Sequence, residues 1–179
     1  IDHDGARTGT LLFPSGVQAT LTAMNGTSVS SSQLAIRVTE YTVGPNGAQQ
    51  MPAELPPNSA YTYAMDLSAD GLRSAQFSKP LPYYLENFIG FPTGTSLPLG
   101  FYDTTIGRWI AQDSGVVVKL LGMTGTAADL DVTGDNVADD AMTLARFGIT
   151  AEEQAFLPSL YAAGASLWRV QVSHFSSYD

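Results

Sequence analysis

Two stretches of this chain combine residue types that could do chemistry. The first is Val172-Ser173-His174-Phe175-Ser176-Ser177, where a histidine stands two residues before a serine. A serine hydroxyl is a weak nucleophile, and a nearby imidazole can take its proton. At His-Phe-Ser the corresponding reaction is an N-to-O acyl shift. The Ser176 hydroxyl would attack the Phe175 carbonyl with His174 as base, and water would hydrolyse the ester. The peptide bond must also be strained, because an ordinary amide does not rearrange. The alternative is a harmless strand end, with His174 and Ser176 on one face and Phe175 packed on the other.

The second stretch runs from Asp129 to Asp140 and reads Asp-Leu-Asp-Val-Thr-Gly-Asp-Asn-Val-Ala-Asp-Asp. Oxygen-bearing side chains recur at alternate positions around a turn residue. A hard cation such as Ca²⁺ takes about six to eight oxygens, which alternate residues of a tight loop can supply. Two registers are open. One places Asp129, Asp131, Thr133 and Asp135 as ligands, Gly134 at the sharp turn and Asp140 at the twelfth position. The other uses Asp131, Thr133, Asp135, the Val137 carbonyl and Asp139. Threonine in place of a carboxylate at 133 lowers the ligand charge. The alternative is a solvated acidic turn leading into a helix, whose dipole Asp139 and Asp140 would suit. A calcium ion here would be structural.

Weaker candidates remain. Asp2-His3-Asp4 could ligate a transition metal but reads as a mobile terminus. The aromatics between Tyr61 and Trp109, among them Tyr63, Tyr83, Tyr84 and Phe91, could line a sugar or peptide groove. Such residues more often fill a core. With only His3 and His174 available, no Ser/His/Asp set is convincing. Asn25-Gly26-Thr27 is formally a glycosylation site, but Asn-Gly is first a turn.

The elements that must position these residues are mostly strands. Short runs rich in β-branched and aromatic residues cover 8–13, 17–23, 33–42, 60–67, 74–77, 82–88, 97–102, 108–111 and 116–120. Turn residues separate them, including Asn25-Gly26, Asp70-Gly71 and Asp113-Ser114-Gly115. Close spacing without helical crossovers predicts a mainly β, antiparallel sandwich. Residues 126–164 differ, and read as an acidic loop followed by short helices over 141–147 and 151–160. Thr150-Ala-Glu-Glu153 fits a capping box, and Phe156, Leu157 and Leu160 are expected to face the sandwich. This segment is read as an insertion before the last strand, 166–175, within one domain spanning 1–179.

Composition bounds the function. The chain has 179 residues, 44% hydrophobic and 14% charged, with a net charge of −9. Phosphate binding needs clustered Lys and Arg, so a nucleic-acid or anionic-membrane partner is not expected. The absence of cysteine excludes disulfides and thiolate chemistry. No apolar run approaches a membrane span. The sequence opens at Ile1 without a signal peptide, which suggests a processed product or a piece of a longer protein.

Several stretches together resemble a known family. They are Arg37-Val-Thr-Glu-Tyr-Thr-Val-Gly-Pro, Met51-Pro-Ala-Glu-Leu-Pro-Pro, Glu86-Asn-Phe-Ile-Gly-Phe-Pro-Thr-Gly-Thr, Gly100-Phe-Tyr-Asp, Gly107-Arg-Trp-Ile and Trp168-Arg-Val-Gln-Val-Ser-His-Phe-Ser. In this order they resemble the region ahead of the repeats in large bacterial Rhs/YD-repeat proteins, which also carry aspartate-rich turns. Residues 9–21 and the His-Phe-Ser ending resemble the β-sandwich domain named after zonula occludens proteins and netrin receptors. Some relatives of that domain cleave between Phe and Ser, which maps to Phe175–Ser176. After Leu21 this chain reads Thr-Ala-Met-Asn-Gly-Thr, where that family has a proline-glycine turn. The resemblance implies an exported protein, secreted or at the cell surface. It implies a non-catalytic module that contacts other domains of its parent or like subunits. A self-cleaving domain and a carbohydrate- or peptide-binding module are the alternatives.

Overall fold

The computed structural model describes residues 7–41, 46–56 and 62–179. Among these residues, eleven strands and two α-helices follow in chain order, with one 3-10 turn at Ala48–Gln50. They are β1 (Gly9–Leu11), β2 (Ala19–Ala23), β3 (Ser28–Val29), β4 (Ile36–Glu40), β5 (Met65–Ala69), β6 (Leu72–Glu86), β7 (Ser96–Asp103), β8 (Arg108–Thr124) and β9 (Ala127–Asp131). Helices α1 (Ala141–Arg146) and α2 (Ala151–Leu160) precede β10 (Ser166–His174) and β11 (Ser177–Tyr178). Every strand pairing is antiparallel. The path is β3-β2-β6-β10-β8-β7-β11-β5-β4, with β1 added to β6 and β9 to β8. The mainly β, antiparallel expectation holds.

Successive strand side chains point to opposite faces, and the middle of this sheet is buried on both. Tyr83, Val117 and Trp168 face one core, whereas Tyr84, Val116, Val118 and Leu167 face another. The first core draws Leu21 from β2, Leu67 from β5, Leu97 from β7, Val172 from β10 and Tyr178 from β11. Strands distant in the sheet order therefore share one interior, so the sheet curls around it. The second core lies under α1 and α2, which contribute Leu144 and Leu157, together with Ile149 between them.

The structure corrects several sequence expectations. Asp113-Ser114-Gly115 is not a turn but the middle of β8. Gly115 is needed there, because a Cβ would collide with the Arg169 carbonyl of β10. Likewise 74–77 and most of 82–88 belong to one long strand, β6, which ends at Glu86. The insertion over 126–164 opens with a strand: Ala127–Asp131 pairs with β8 and extends the sheet. The capping box at Thr150 and Glu153 is present. On α2, however, only Leu157 of the three expected residues is buried, and Phe156 and Leu160 are exposed. The Asn25-Gly26 turn forms and links β2 to β3.

A buried ion pair fastens the insertion to the sheet. The Arg169 Nε donates to Glu153 Oε1 at 2.6 Å and its Nη2 donates to Glu153 Oε2 at 3.0 Å. Both side chains are 3% exposed. The Tyr84 hydroxyl donates to Glu153 Oε1 at 2.5 Å. Arg169 also donates to the carbonyls of Phe147 and Gly148, between the helices. Burial works against the Arg169 charge, but the Glu153 carboxylate outweighs it and holds the guanidinium above its ordinary pKa. Burial and the same carboxylate push the Tyr84 phenol well up. Two exposed hydrogen bonds from Ser15 to Glu152 add a further tie from α2 to the β1–β2 connection.

Removing one partner of a buried pair leaves an uncompensated charge, so Glu153→Ala is expected to cost about 3–5 kcal/mol in a urea unfolding titration. Tyr84→Phe removes one hydrogen bond to the carboxylate and is expected to cost about 1–2 kcal/mol. A Glu153→Ala variant as stable as the parent would contradict the lock.

Candidate functional site

Three places bear on function: the His-Phe-Ser ending, the acidic loop and a cavity inside the curled sheet.

The His-Phe-Ser ending lies where the chain leaves β10 and crosses to β11. Phe175 N–H donates to the Ala75 carbonyl of β6, and Leu67 N–H of β5 donates to the Ser176 carbonyl. Strands β5 and β6 follow one another, but β5 pairs with β4 and β11 while β6 pairs with β1, β2 and β10. The Phe175–Ser176 bond therefore bridges two strands that have diverged. The Phe175 ring is buried and packs edge-on to Phe77 at 5.0 Å. The two residues expected to act together have different partners. Ser176 Oγ donates to the Tyr102 carbonyl at 2.8 Å. His174 Nδ1 shares a 3.2 Å hydrogen bond with Ser173 Oγ, and its ring meets Phe101 edge-on at 4.6 Å. Burial lowers the His174 pKa, with Asp103 opposing it. Ser177, not Ser176, reaches a carboxylate, donating to Asp66 Oδ1 at 2.9 Å.

The acidic loop is folded around its own carboxylates. Asp131 ends β9, is fully buried and accepts from the amides of Thr133, Gly134 and Asn136. Asp139 accepts from the amides of Val132 and Thr133. The Thr133 hydroxyl lies 3.4 Å from Asp131 Oδ1 and 3.2 Å from Asp139 Oδ1. Asp131, Thr133 and Asp139 thus come together. The remaining candidates are engaged elsewhere. Asp129 accepts from the Thr124 hydroxyl, Asp135 from the Val137 amide, and Asp140 caps α1 through the Thr143 amide. The Thr143 amide and hydroxyl hold the Asp140 carboxyl below its ordinary pKa. Lys119 approaches the loop, donating to Asn136 Oδ1 at 2.7 Å. Gly134 has a φ of 87° and sits against Thr93, leaving a Cβ only 2.6 Å from its carbonyl oxygen. The loop is thereby seated on the turn before β7. Among the described residues, no group of three or more His, Asp or Glu side chains is placed to share one ion. The Asp2-His3-Asp4 candidate lies outside the described residues.

The cavity, of about 480 Å³, opens to solvent on the inner face of the sheet. Tyr63, Tyr83, Phe91 and Trp109, aromatics of the candidate groove, are among its lining residues. Tyr84 is not among them, because it points into the opposite core. Tyr61 lies outside the described residues. The aromatic wall is held firmly. Phe91 stacks on Trp168 at 5.5 Å, Trp168 Nε1 donates to Asn87 Oδ1, and Asn87 donates in turn to the Phe91 carbonyl.

One polar group in the cavity escaped sequence reasoning. Asp179 lines it, and its Oδ1 is buried with no hydrogen-bond partner among the described residues. Its backbone exchanges two hydrogen bonds with Gly100, which fixes its place beside β7. Burial raises the Asp179 carboxyl from an ordinary 3.8 to about 6. No local pattern marks this residue, since its burial depends on the curl of the sheet.

Comparison with family models, with curated proteins and with solved structures finds no match for this chain.

A carboxyl with a raised folded pKa favours the fold while protonated, and that contribution disappears as pH rises through the folded value. Asp179→Asn is therefore expected to raise the melting temperature at about pH 7.5 and to lose this advantage towards pH 4. A variant no more stable than the parent at the higher pH would contradict the burial of this carboxylate.

Proposed function

We propose that this chain is a non-catalytic structural module of a large exported bacterial protein of the Rhs/YD-repeat kind, with a Ca²⁺-closed loop over 129–140. The observation that carries the non-catalytic reading is what the reactive side chains touch. Ser176 donates to a main-chain carbonyl, His174 pairs with Ser173, and Glu153 with Arg169 joins α2 to the sheet. The Ser176 and Glu153 contacts tie distant segments of the chain together, and the His174 contact is to its neighbour in the same strand. The order of sequence motifs supports the parent-protein assignment. It also supports a setting outside the cytoplasm, where the partners are neighbouring domains or like subunits. Nucleic acid is not among them, since the chain is strongly acidic. Among the described residues, no helix is long and apolar enough to cross a membrane.

The calcium reading rests on the meeting of Asp131, Thr133 and Asp139. Two carboxylates and a hydroxyl supply part of the oxygen set, and this grouping favours the register that begins at Asp131. Asp135 and the Val137 carbonyl complete that register along the loop. Asp129 and Asp140, engaged with Thr124 and Thr143, belong to the other. A cation at this point would neutralise the two carboxylates and pin the loop that joins β9 to α1.

Ca²⁺ is expected to raise the melting temperature relative to excess chelator, because a ligand that binds only the folded chain stabilises it. Asp139→Asn should abolish the shift, and Asp129→Asn should retain it. Equal melting temperatures with calcium and with chelator would overturn the calcium reading. Intact mass after prolonged incubation tests the non-catalytic reading separately. One unchanged mass is expected, and fragments divided at Phe175–Ser176 would establish self-cleavage instead.

A further inference from the structure

The inner cavity combines features that the structural role does not use. We propose that it binds a small apolar molecule bearing a protonated amine. The apolar body would lie against Leu85, Leu97 and Trp168, and the amine at the Asp179 carboxylate.

The argument begins with volume. At about 480 Å³ the cavity falls within the roughly 300–1,000 Å³ that small-ligand sites occupy. Its lining is predominantly hydrophobic and aromatic, as such sites require. The polar requirement is equally specific. A buried carboxylate oxygen without a partner is costly unless something donates to it. Asp179 carries such an oxygen, Oδ1, and the residue is part of the cavity lining. Among the described residues, no Lys or Arg lines the cavity to neutralise it. The occupant must therefore bring the donor, and a cationic donor gives the stronger hydrogen bond.

The aromatic lining points the same way. Tyr63, Tyr83, Phe91, Trp109 and Trp168 all contribute to the wall. Aromatic faces attract cations, most strongly where water is excluded. The Tyr63 and Tyr83 hydroxyls engage each other at 3.2 Å, so their shared hydrogen bond leaves Asp179 as the principal unsatisfied anchor. An anionic ligand would meet a carboxylate and a chain of net charge −9. The wall is also preorganised through Asn87, Phe91 and Trp168, which limits the ordering cost of binding.

The chain has two tryptophans, Trp109 and Trp168, and both line the cavity, so intrinsic fluorescence reports on its contents. The test titrates octylamine, octanol and octanoate into the whole chain near neutral pH. A saturable fluorescence change with octylamine is expected, with octanol binding roughly tenfold more weakly and octanoate not at all. Asp179→Asn should bring octylamine down to the affinity of octanol while leaving octanol unchanged. Ala111→Phe, at an exposed position of the lining, should weaken amine and alcohol together. The proposal is overturned by the absence of saturable octylamine binding. It is equally overturned if amine and alcohol bind alike to the parent chain, or if Asp179→Asn leaves octylamine affinity unchanged.

Discussion

The buried pair between Glu153 and Arg169 organises this molecule. A charge taken out of water is tolerable only with a partner of opposite sign and with its hydrogen bonds satisfied. Here both conditions are met by residues from three places. Tyr84 comes from β6, Arg169 from β10 and Glu153 from α2, and the carbonyls of Phe147 and Gly148 complete the set. Neither charge is satisfied unless the helices are docked. The pair therefore couples the insertion to the two central strands. It also explains how a short helical segment, too small to bury a core of its own, stays ordered.

The sheet that receives this insertion is buried on both faces along β6, β10 and β8. Double burial places strict demands on close approach. Gly115 lets β8 and β10 pass where no side chain fits, and Gly134 seats the acidic loop against Thr93. The acidic loop and the His-Phe-Ser crossover then act at the margins. The former fixes the route from β9 into α1, and the latter bridges β5 and β6 where they part. The cavity occupies the space the curl encloses, and its unpartnered carboxylate sets it apart from an ordinary packing gap.

Much of the β architecture was legible in the sequence because turns are local. Asn25-Gly26 forms the expected turn, and the Thr150–Glu153 capping box is chemistry contained within four residues. The failures were non-local. Asp113-Ser114-Gly115 carries turn composition, but pairing with β7 on one side and contact with Arg169 on the other keep it extended. The cation loop expected from Asp129 onward overlaps a strand, because Asp129 and Asp131 obscure the alternation that pairs 127–131 with β8. Phe156 and Leu160 suggested a broad buried face on α2, but only Leu157 and Glu153 point inward. At the candidate sites, sequence spacing grouped seven loop residues, and the fold brings three of them together. Asp179 had no sequence signal, since what buries it is supplied by strands far away in the chain.

If the insertion is part of the core rather than an appendage, it should unfold with the sheet. Native-state hydrogen exchange reads this directly, because it resolves the opening free energy of each segment. The account predicts that the slowest amides of α2 and those of central β6 and β10 open together, with one free energy equal to that of global unfolding. Exchange of α2 at a much lower free energy than the strands would show that the insertion opens alone, and would contradict the account.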